Sequence, residues 1–250
     1  MMKIIGVIPS RYSSSRFPGK PLADICGRPM VWWVYQQALR SECLDAVYVA
    51  TDDEKITETC RNYGMNYIMT SVEHKNGTER LTEVCRKIDA DYYITIQGDE
   101  PITDPRNIKE LVSHVRAGEI EFCATMKTPY KDPVDVINQT TPKVVNDVYG
   151  NVLLFTRSPV PYPKAAIGYT IYKPMGLYAF SKKALEEYSR LEMGPLEKIE
   201  EIELLRFVEH GLKVKIYPTT SRTVAVDTKK DLERVIDYVK SDNGLLKYLT

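Results

Sequence analysis

Residues 3–20 read KIIGVIPSRYSSSRFPGK, and the reading of the fold begins there. Lys3–Pro9 is a β-branched apolar run of strand length with no polar interruption, the pattern of a strand buried on both faces. Ser10–Lys20 follows at once. It carries Arg11, Arg16 and Lys20, no acid, the serine run Ser13–Ser15, and Pro18-Gly19 to fix a turn. A polyphosphate needs fixed cations and many N–H or O–H donors, and this loop offers both. It is not a Walker A loop, because Gly19-Lys20 is followed by Pro21 and Ser14 stands where the first glycine belongs. No GxGxxG fingerprint is present. The competing reading, a solvated surface loop, leaves three cations after the first strand without a role.

Outward from this stretch, strands and helices alternate. Pro29–Glu42 has helical periodicity, Ala46–Thr51 is strand-like, and Asp53–Tyr63 reads as a helix with acids at its start and Gly64 at its end. Asn66–Thr70 is a third strand, Thr78–Ile88 a helix that Thr78 can cap, and Tyr92–Gln97 a fourth strand. Such alternation predicts an α/β fold with a mainly parallel sheet flanked by helices, and ligands bind at the carboxyl ends of its strands. After about residue 118 the pattern turns mixed. Strands are expected at Phe122–Lys127, Lys143–Asp147, Asn151–Thr156, Met175–Phe180, Lys213–Tyr217 and Val224–Val226. Helices are expected over Pro195–His210 and from Lys229. With no Gly/Ser linker and no repeat, residues 1–250 read as one domain.

The 250 residues hold 34 basic and 34 acidic side chains, so no global field favours nucleic acid or an anionic membrane. No apolar run is long enough to span a bilayer. The five cysteines, at 26, 43, 60, 85 and 123, form no CxxC pair, which suits reduced thiols in a cytoplasmic protein. His74, His114 and His210 lack metal spacing.

Two acidic positions stand out. Gln97-Gly98-Asp99-Glu100-Pro101 ends the fourth strand, where a glycine admits a ligand to the backbone and Asp99 suits magnesium, which takes one or two carboxylates plus phosphate oxygens and water. The bland alternative is a tight turn. Asp227 precedes the last helix, and either it or Thr228 can be that helix's cap. The pair Asp52-Asp53 reads as a helix start. In His74–Arg80 (HKNGTER), Gly77 permits close backbone approach.

In this order, IPSRYSSSRFPGKPL, ATDDE, HKNGTER, IQGDEP, PKVV, FTRSPVPY, GLYAF, PLEKIEEIELLR and VDTKKDLE resemble the 3-deoxy-manno-octulosonate (Kdo) cytidylyltransferases, in register from about residue 3 to 235. The resemblance implies a Rossmann-like nucleotide-binding sheet, with residues 120–210 contributing a smaller mixed acceptor and dimerisation part. It implies a homodimer that uses CTP and Mg2+ to join CMP to a small sugar acid. Carried over by motif, Arg11, Lys20, Asp99 and Asp227 would be catalytic, and Asp99 and Asp227 would hold the metal. Pro9, Ser10, Arg11, Arg16, Lys20, Gly77, Thr78, Arg80 and Gln97 would bind the nucleotide. Arg157 would pair with the acceptor carboxylate, with Tyr178, Glu197 and Glu200 beside it. Glu197 and Glu200, at i and i+3, would share one helix face.

The sequence departs from the family on the acceptor side. Pro174 stands where the family has a histidine, the stretch before Tyr172 is short, and residues 221–228 read SRTVAVDT. A modified Kdo, such as an 8-amino form, or another carboxylate or phosphonate acceptor therefore stays open. So does a nucleotide-sugar-dependent glycosyltransferase on a similar sheet.

Overall fold

The computed structural model describes residues 2–13, 17–130, 132–165, 168–220, 224–242 and 245. In chain order come β1 (Ile4–Ser10), a 3-10 turn at Lys20–Leu22, the hairpin β2 (Asp24–Ile25) and β3 (Arg28–Pro29), α1 (Met30–Arg40), β4 (Ala46–Thr51), α2 (Glu54–Asn62), β5 (Tyr67–Met69), α3 (Gly77–Lys87) and β6 (Tyr92–Ile96). The second half adds α4 (Pro105–Arg116), β7 (Cys123–Pro129), α5 (Pro133–Val136), β8 (Lys143–Asn146), β9 (Val152–Thr156), β10 (Tyr172–Ser181), α6 (Lys182–Tyr188), α7 (Pro195–Glu200), α8 (Leu205–Glu209), β11 (Val214–Pro218) and α9 (Lys229–Ser241).

One sheet carries both halves, in the order β11-β7-β10-β6-β1-β4-β5. The pairs β1–β4, β1–β6, β4–β5 and β7–β11 are parallel, whereas β10 runs antiparallel between β6 and β7 and also meets the β8–β9 hairpin. The fold is thus mixed α/β around a largely parallel sheet. Strand β1 shows why its sequence has no polar break. Ile4 and Ile8 face one buried cluster, with α1, α2, α4 and α9, while Ile5 and Val7 face a second, with α3, α6 and α8. Both faces of the strand are covered, so both faces are apolar.

Local chemistry sets the helix starts. Asp53, Asn76, Asp104, Ser181 and Thr228 cap α2, α3, α4, α6 and α9 through side-chain bonds to backbone N–H groups. Each such cap stabilises by about 1 kcal/mol. Four expectations change. Thr78 is not the cap of α3, because Asn76 takes that place two residues earlier. Val224–Val226 is extended chain without a strand ladder, tied by Val226 N–H to the Asp99 carbonyl at 2.8 Å. The helix expected over Pro195–His210 is two short ones, broken where Glu201 adopts φ 52°. Helices α4 and α6 fall on stretches to which the sequence pattern assigned nothing. No helix among the described residues is long and apolar enough to cross a membrane.

Candidate active site

Chain order runs from β1 outward through β4 to β5, then returns to β6 on the other side of β1. The crevice between the carboxyl ends of β1 and β6 is therefore the switch point of the winding, where open α/β sheets bind ligands. A cavity of about 490 Å³ opens there. It is lined by the end of β1 (Pro9, Ser10), the loop beyond it (Arg11, Ser13, Lys20, Pro21), the start of α3 (Asn76, Gly77, Arg80), the turn after β6 (Gln97, Gly98, Asp99), and Asp227.

Lys20 is fixed by a closed loop. Gly19 has φ 72° and donates its N–H to the Tyr12 carbonyl at 2.9 Å, and Lys20 N–H reaches the Phe17 carbonyl at 3.2 Å. From that turn the Lys20 ammonium lies 2.7 Å from Asp99 Oδ2 and 3.6 Å from Asp227 Oδ1. The fold has brought together two carboxylates from distant parts of the chain, with one cation between them. The capping box at α9 is built from Thr228 and Asp231, so Asp227 is not the cap and its carboxylate faces Lys20. Arg16 lies outside the described residues. Arg11 donates to the Lys75 carbonyl at 3.4 Å.

Arg80 is buried at 2% exposure and held by Asp52 at 2.7 Å and by the Thr70 hydroxyl. That gives Asp52 its role, while Asp53 caps α2. Asn76 caps α3 and also donates to the Tyr188 hydroxyl at 3.2 Å. Thr78 is fully buried, and its N–H donates to Glu203 at 2.9 Å. Burial pushes the Glu203 carboxyl up, partly offset by that N–H.

The sequence reading anticipated Ser13 and Gly98 beside the ligand but missed Pro21 and Asn76 as lining residues, and Glu203 beneath them. Asn76 carried a signal, since N-G-T-E has the spacing of a capping motif. Gly98 has a physical reason to be glycine. A Cβ there would sit 2.7 Å from the Pro9 carbonyl and 2.9 Å from Ser10 Oγ. Gly98→Ala should force the ends of β1 and β6 apart, destabilising by about 1–3 kcal/mol and weakening CTP binding about tenfold. Urea unfolding and a calorimetric titration with CTP check both effects; wild-type affinity would rule out so close an approach of the two strand ends.

The segment leading into α3 is tethered by Glu83, which accepts from Ser71 N–H at 2.8 Å and lies 2.6 Å from His74 and 2.7 Å from Lys87. Burial alone would push the Glu83 carboxyl up, but Lys87, the Ser71 N–H and His74 override it and hold it down at about 2. A depressed carboxylate contributes stability that is present above its unfolded pKa and is lost as pH falls through the folded one. The urea midpoint of the wild type should therefore fall more steeply than that of Glu83→Gln between about pH 5 and pH 2. Parallel curves would remove Glu83 from the acid response.

None of the four residues expected at the acceptor lines this cavity. Tyr178 sits in β10 between β6 and β7, and burial pushes its phenol well up, so it stays protonated. Glu197 and Glu200 share one short helix but turn to different protein partners. Glu197 is 2% exposed and accepts from Arg206 Nε and Nη2, each at 2.8 Å, because α7 presses that side against α8. Glu200 points the other way, accepting from Thr156 Oγ1 at 2.5 Å and from Arg157 N–H at 2.8 Å. Arg157 gives Nε to the Glu200 carbonyl at 2.7 Å and Nη1 to the carbonyls of Gln139 and Thr140, each at 3.0 Å. Among the described residues, its Nη2 has no protein acceptor.

Among the described residues, no cluster of three or more His, Cys, Asp or Glu forms a metal cage. Two gathered carboxylates beside an open cavity are instead a donor set that suits magnesium, whose remaining ligands are phosphate oxygens and water.

Comparison with known proteins agrees with this geometry. Residues 5–216 match the family model described as cytidylyltransferase. The chain is 41% identical to the 3-deoxy-manno-octulosonate cytidylyltransferase of Fusobacterium nucleatum subsp. nucleatum, covering 97% of this chain and 99% of that one. It is 39% identical to the protein of that name from Synechococcus elongatus, covering 94% and 97%. A solved structure of CMP:2-keto-3-deoxy-manno-octonic acid synthetase complexed with CTP superposes with a TM-score of 0.91 at 38% identity, covering 96% of this chain and 99% of that one. A putative glucose-1-phosphate thymidylyltransferase from Bacillus anthracis, at 15% identity and TM-score 0.67, shares the fold alone. The chain belongs to the cytidylyltransferase family, among the 3-deoxy-manno-octulosonate cytidylyltransferases.

Proposed function

We propose that the protein joins CMP from CTP to Kdo, releasing pyrophosphate. The observation that carries this reading is Lys20 held between Asp99 and Asp227 at the carboxyl ends of β1 and β6. A sugar hydroxyl oxygen forms a bond to the α-phosphorus, the bond from that phosphorus to the bridging oxygen breaks, pyrophosphate leaves with the electron pair, and the hydroxyl proton is lost to water. Such a step needs positioning and charge neutralisation more than a strong base. Lys20 and Arg11 hold the triphosphate and offset charge that builds on the leaving pyrophosphate. Asn76, Gly77, Arg80 and Gln97 shape the nucleotide end of the cavity. Asp99 and Asp227 would hold Mg2+, which supplies Lewis-acid charge to the phosphates. Arg157 takes the acceptor carboxylate at its remaining Nη2 edge.

A pyrophosphate-release assay with CTP and a panel of sugar acids tests this reading, with Kdo as the expected acceptor and no turnover with any acid as the result that sinks it. The panel includes 8-amino Kdo, because Pro174 in β10 is a departure on the acceptor side. Release of a sugar from a nucleotide sugar, without pyrophosphate, would favour a glycosyltransferase instead. We also infer a homodimer, supported by exposed Val148, Tyr149, Leu153 and Tyr162 in the second half. Sedimentation giving a monomer at micromolar concentration would oppose it. We further infer a cytoplasmic protein, a reading supported by five cysteines present as free thiols, which suit a reducing compartment.

A further inference from the structure

Lys143 is a lysine with no exposed surface and no carboxylate within hydrogen-bond reach among the described residues. Its ammonium donates to three backbone carbonyls, Asn138 at 2.6 Å, Thr141 at 3.0 Å and Arg157 at 2.9 Å. Arg157 Nη1 takes the carbonyls of Gln139 and Thr140, and the Tyr130 hydroxyl takes those of Thr141 and Pro142. Every carbonyl from Asn138 to Pro142 is thus held by a cation or a phenol. Lys143 and Arg157 bring two positive charges to this cluster, Lys173 adds a third over the Tyr130 ring at 6.0 Å, and Glu200, hydrogen-bonded to Thr156 and the Arg157 N–H, brings one negative charge. Asp135, which Tyr130 also senses, is exposed and screened by solvent. Among the described residues the cluster carries surplus positive charge, and carbonyl dipoles solvate a buried ammonium without neutralising it.

We propose that Lys143 is a positioning residue that sets the charge of the acceptor site, adding to the positive excess around Arg157 that an acceptor carboxylate neutralises at Arg157 Nη2. This rests on the reading of Arg157 as the carboxylate partner in nucleotidyl transfer. A lysine serving only as a loop anchor would leave the acceptor KM indifferent to a change of charge at Glu200. A lysine that supplies charge would not.

Two variants shift the charge in opposite directions; Glu200→Gln is isosteric, whereas Lys143→Gln also shortens the side chain. Lys143→Gln removes one positive charge from the cluster, and Glu200→Gln removes its negative one. In steady-state assays, Lys143→Gln should raise the KM for the acceptor acid about tenfold, with the CTP KM within about twofold and kcat within about threefold. Glu200→Gln should lower the acceptor KM about threefold. An acceptor KM for Lys143→Gln within threefold of wild type, or a rise in both variants, overturns the proposal. If Lys143→Gln fails to bind CTP and so has not folded, Glu200→Gln decides alone: a lowered acceptor KM supports the proposal, and an unchanged or raised one overturns it. A wild type that releases no pyrophosphate is a separate result, which refutes nucleotidyl transfer itself.

Discussion

Replacing Asp99 with asparagine should lower kcat by about 10²–10³-fold while leaving the CTP dissociation constant within about tenfold. The side chain keeps its shape, and its amide oxygen can still accept from Lys20, now 2.7 Å from Asp99 Oδ2. What it loses is charge. In the wild type the Asp99 and Asp227 carboxylates both face Lys20, and two carboxylates gathered in one place suit a divalent cation. A neutral amide in place of one of them would weaken the proposed magnesium site when triphosphate charge must be redistributed on the way to pyrophosphate. Lys20, Arg11 and the cavity walls still hold the nucleotide, so binding suffers less than turnover. Asp227→Asn should behave alike, and the double variant should cost far less than the product of the single effects, because the two groups act as one unit. Equal losses in CTP affinity and kcat would instead make Asp99 a ground-state binding group.

The largest loss of stability is expected at Arg206. Its guanidinium is buried between Glu197 and Glu79, at 2.8 Å and 3.1 Å, and lies over the Tyr188 ring at 4.1 Å. Arg206→Met removes the cation and leaves Glu197, 2% exposed, without its charge partner. Breaking a buried pair from one side costs about 3–5 kcal/mol, because the remaining charge keeps its desolvation penalty. Methionine fills much of the space, so a cavity contributes little. Adding Glu197→Gln should recover at least half of the loss, since a neutral amide is far cheaper to bury. Urea unfolding of the single and double variants reads this directly. A single variant within about 1 kcal/mol of wild type would mean that water reaches the pair.

What the sequence revealed followed how local each signal is. Strand β1, the cationic loop and the turn after β6 are continuous segments whose residue types carry their own reasons. Apolar branching suits a strand covered on both faces, cations suit phosphate, and Gly98 admits close approach. Cap chemistry was legible to within a residue or two. At α9, Thr228 rather than Asp227 takes the cap, and that choice leaves Asp227 facing Lys20. At α3 the cap is Asn76 rather than Thr78. Helix α4 was readable but overlooked, for Asp104-Pro105 is a cap followed by proline at the first helical position.

The convergence of Asp99 and Asp227 has no local signal, and only the family resemblance put them in one site. Glu197 and Glu200 misled for a related reason. Their spacing does place them on one short helix, but α7 is wedged between α8 and the end of β9, so each carboxylate finds a different protein partner. Lys143 gave no warning either. A lysine in a strand reads as an exposed residue, and its burial depends on carbonyls from a segment whose path is set by Arg157 and Tyr130.

The central claim is that Lys20, Asp99 and Asp227 direct attack to the α-phosphorus of CTP. Phosphorus NMR of the protein mixed with CTP, Mg2+ and Kdo tests it most directly. The account predicts a CMP phosphodiester and pyrophosphate appearing in equal amounts, both abolished by Asp99→Asn. Conversion of CTP to CDP and inorganic phosphate, which is cleavage at the γ-phosphorus, would contradict it.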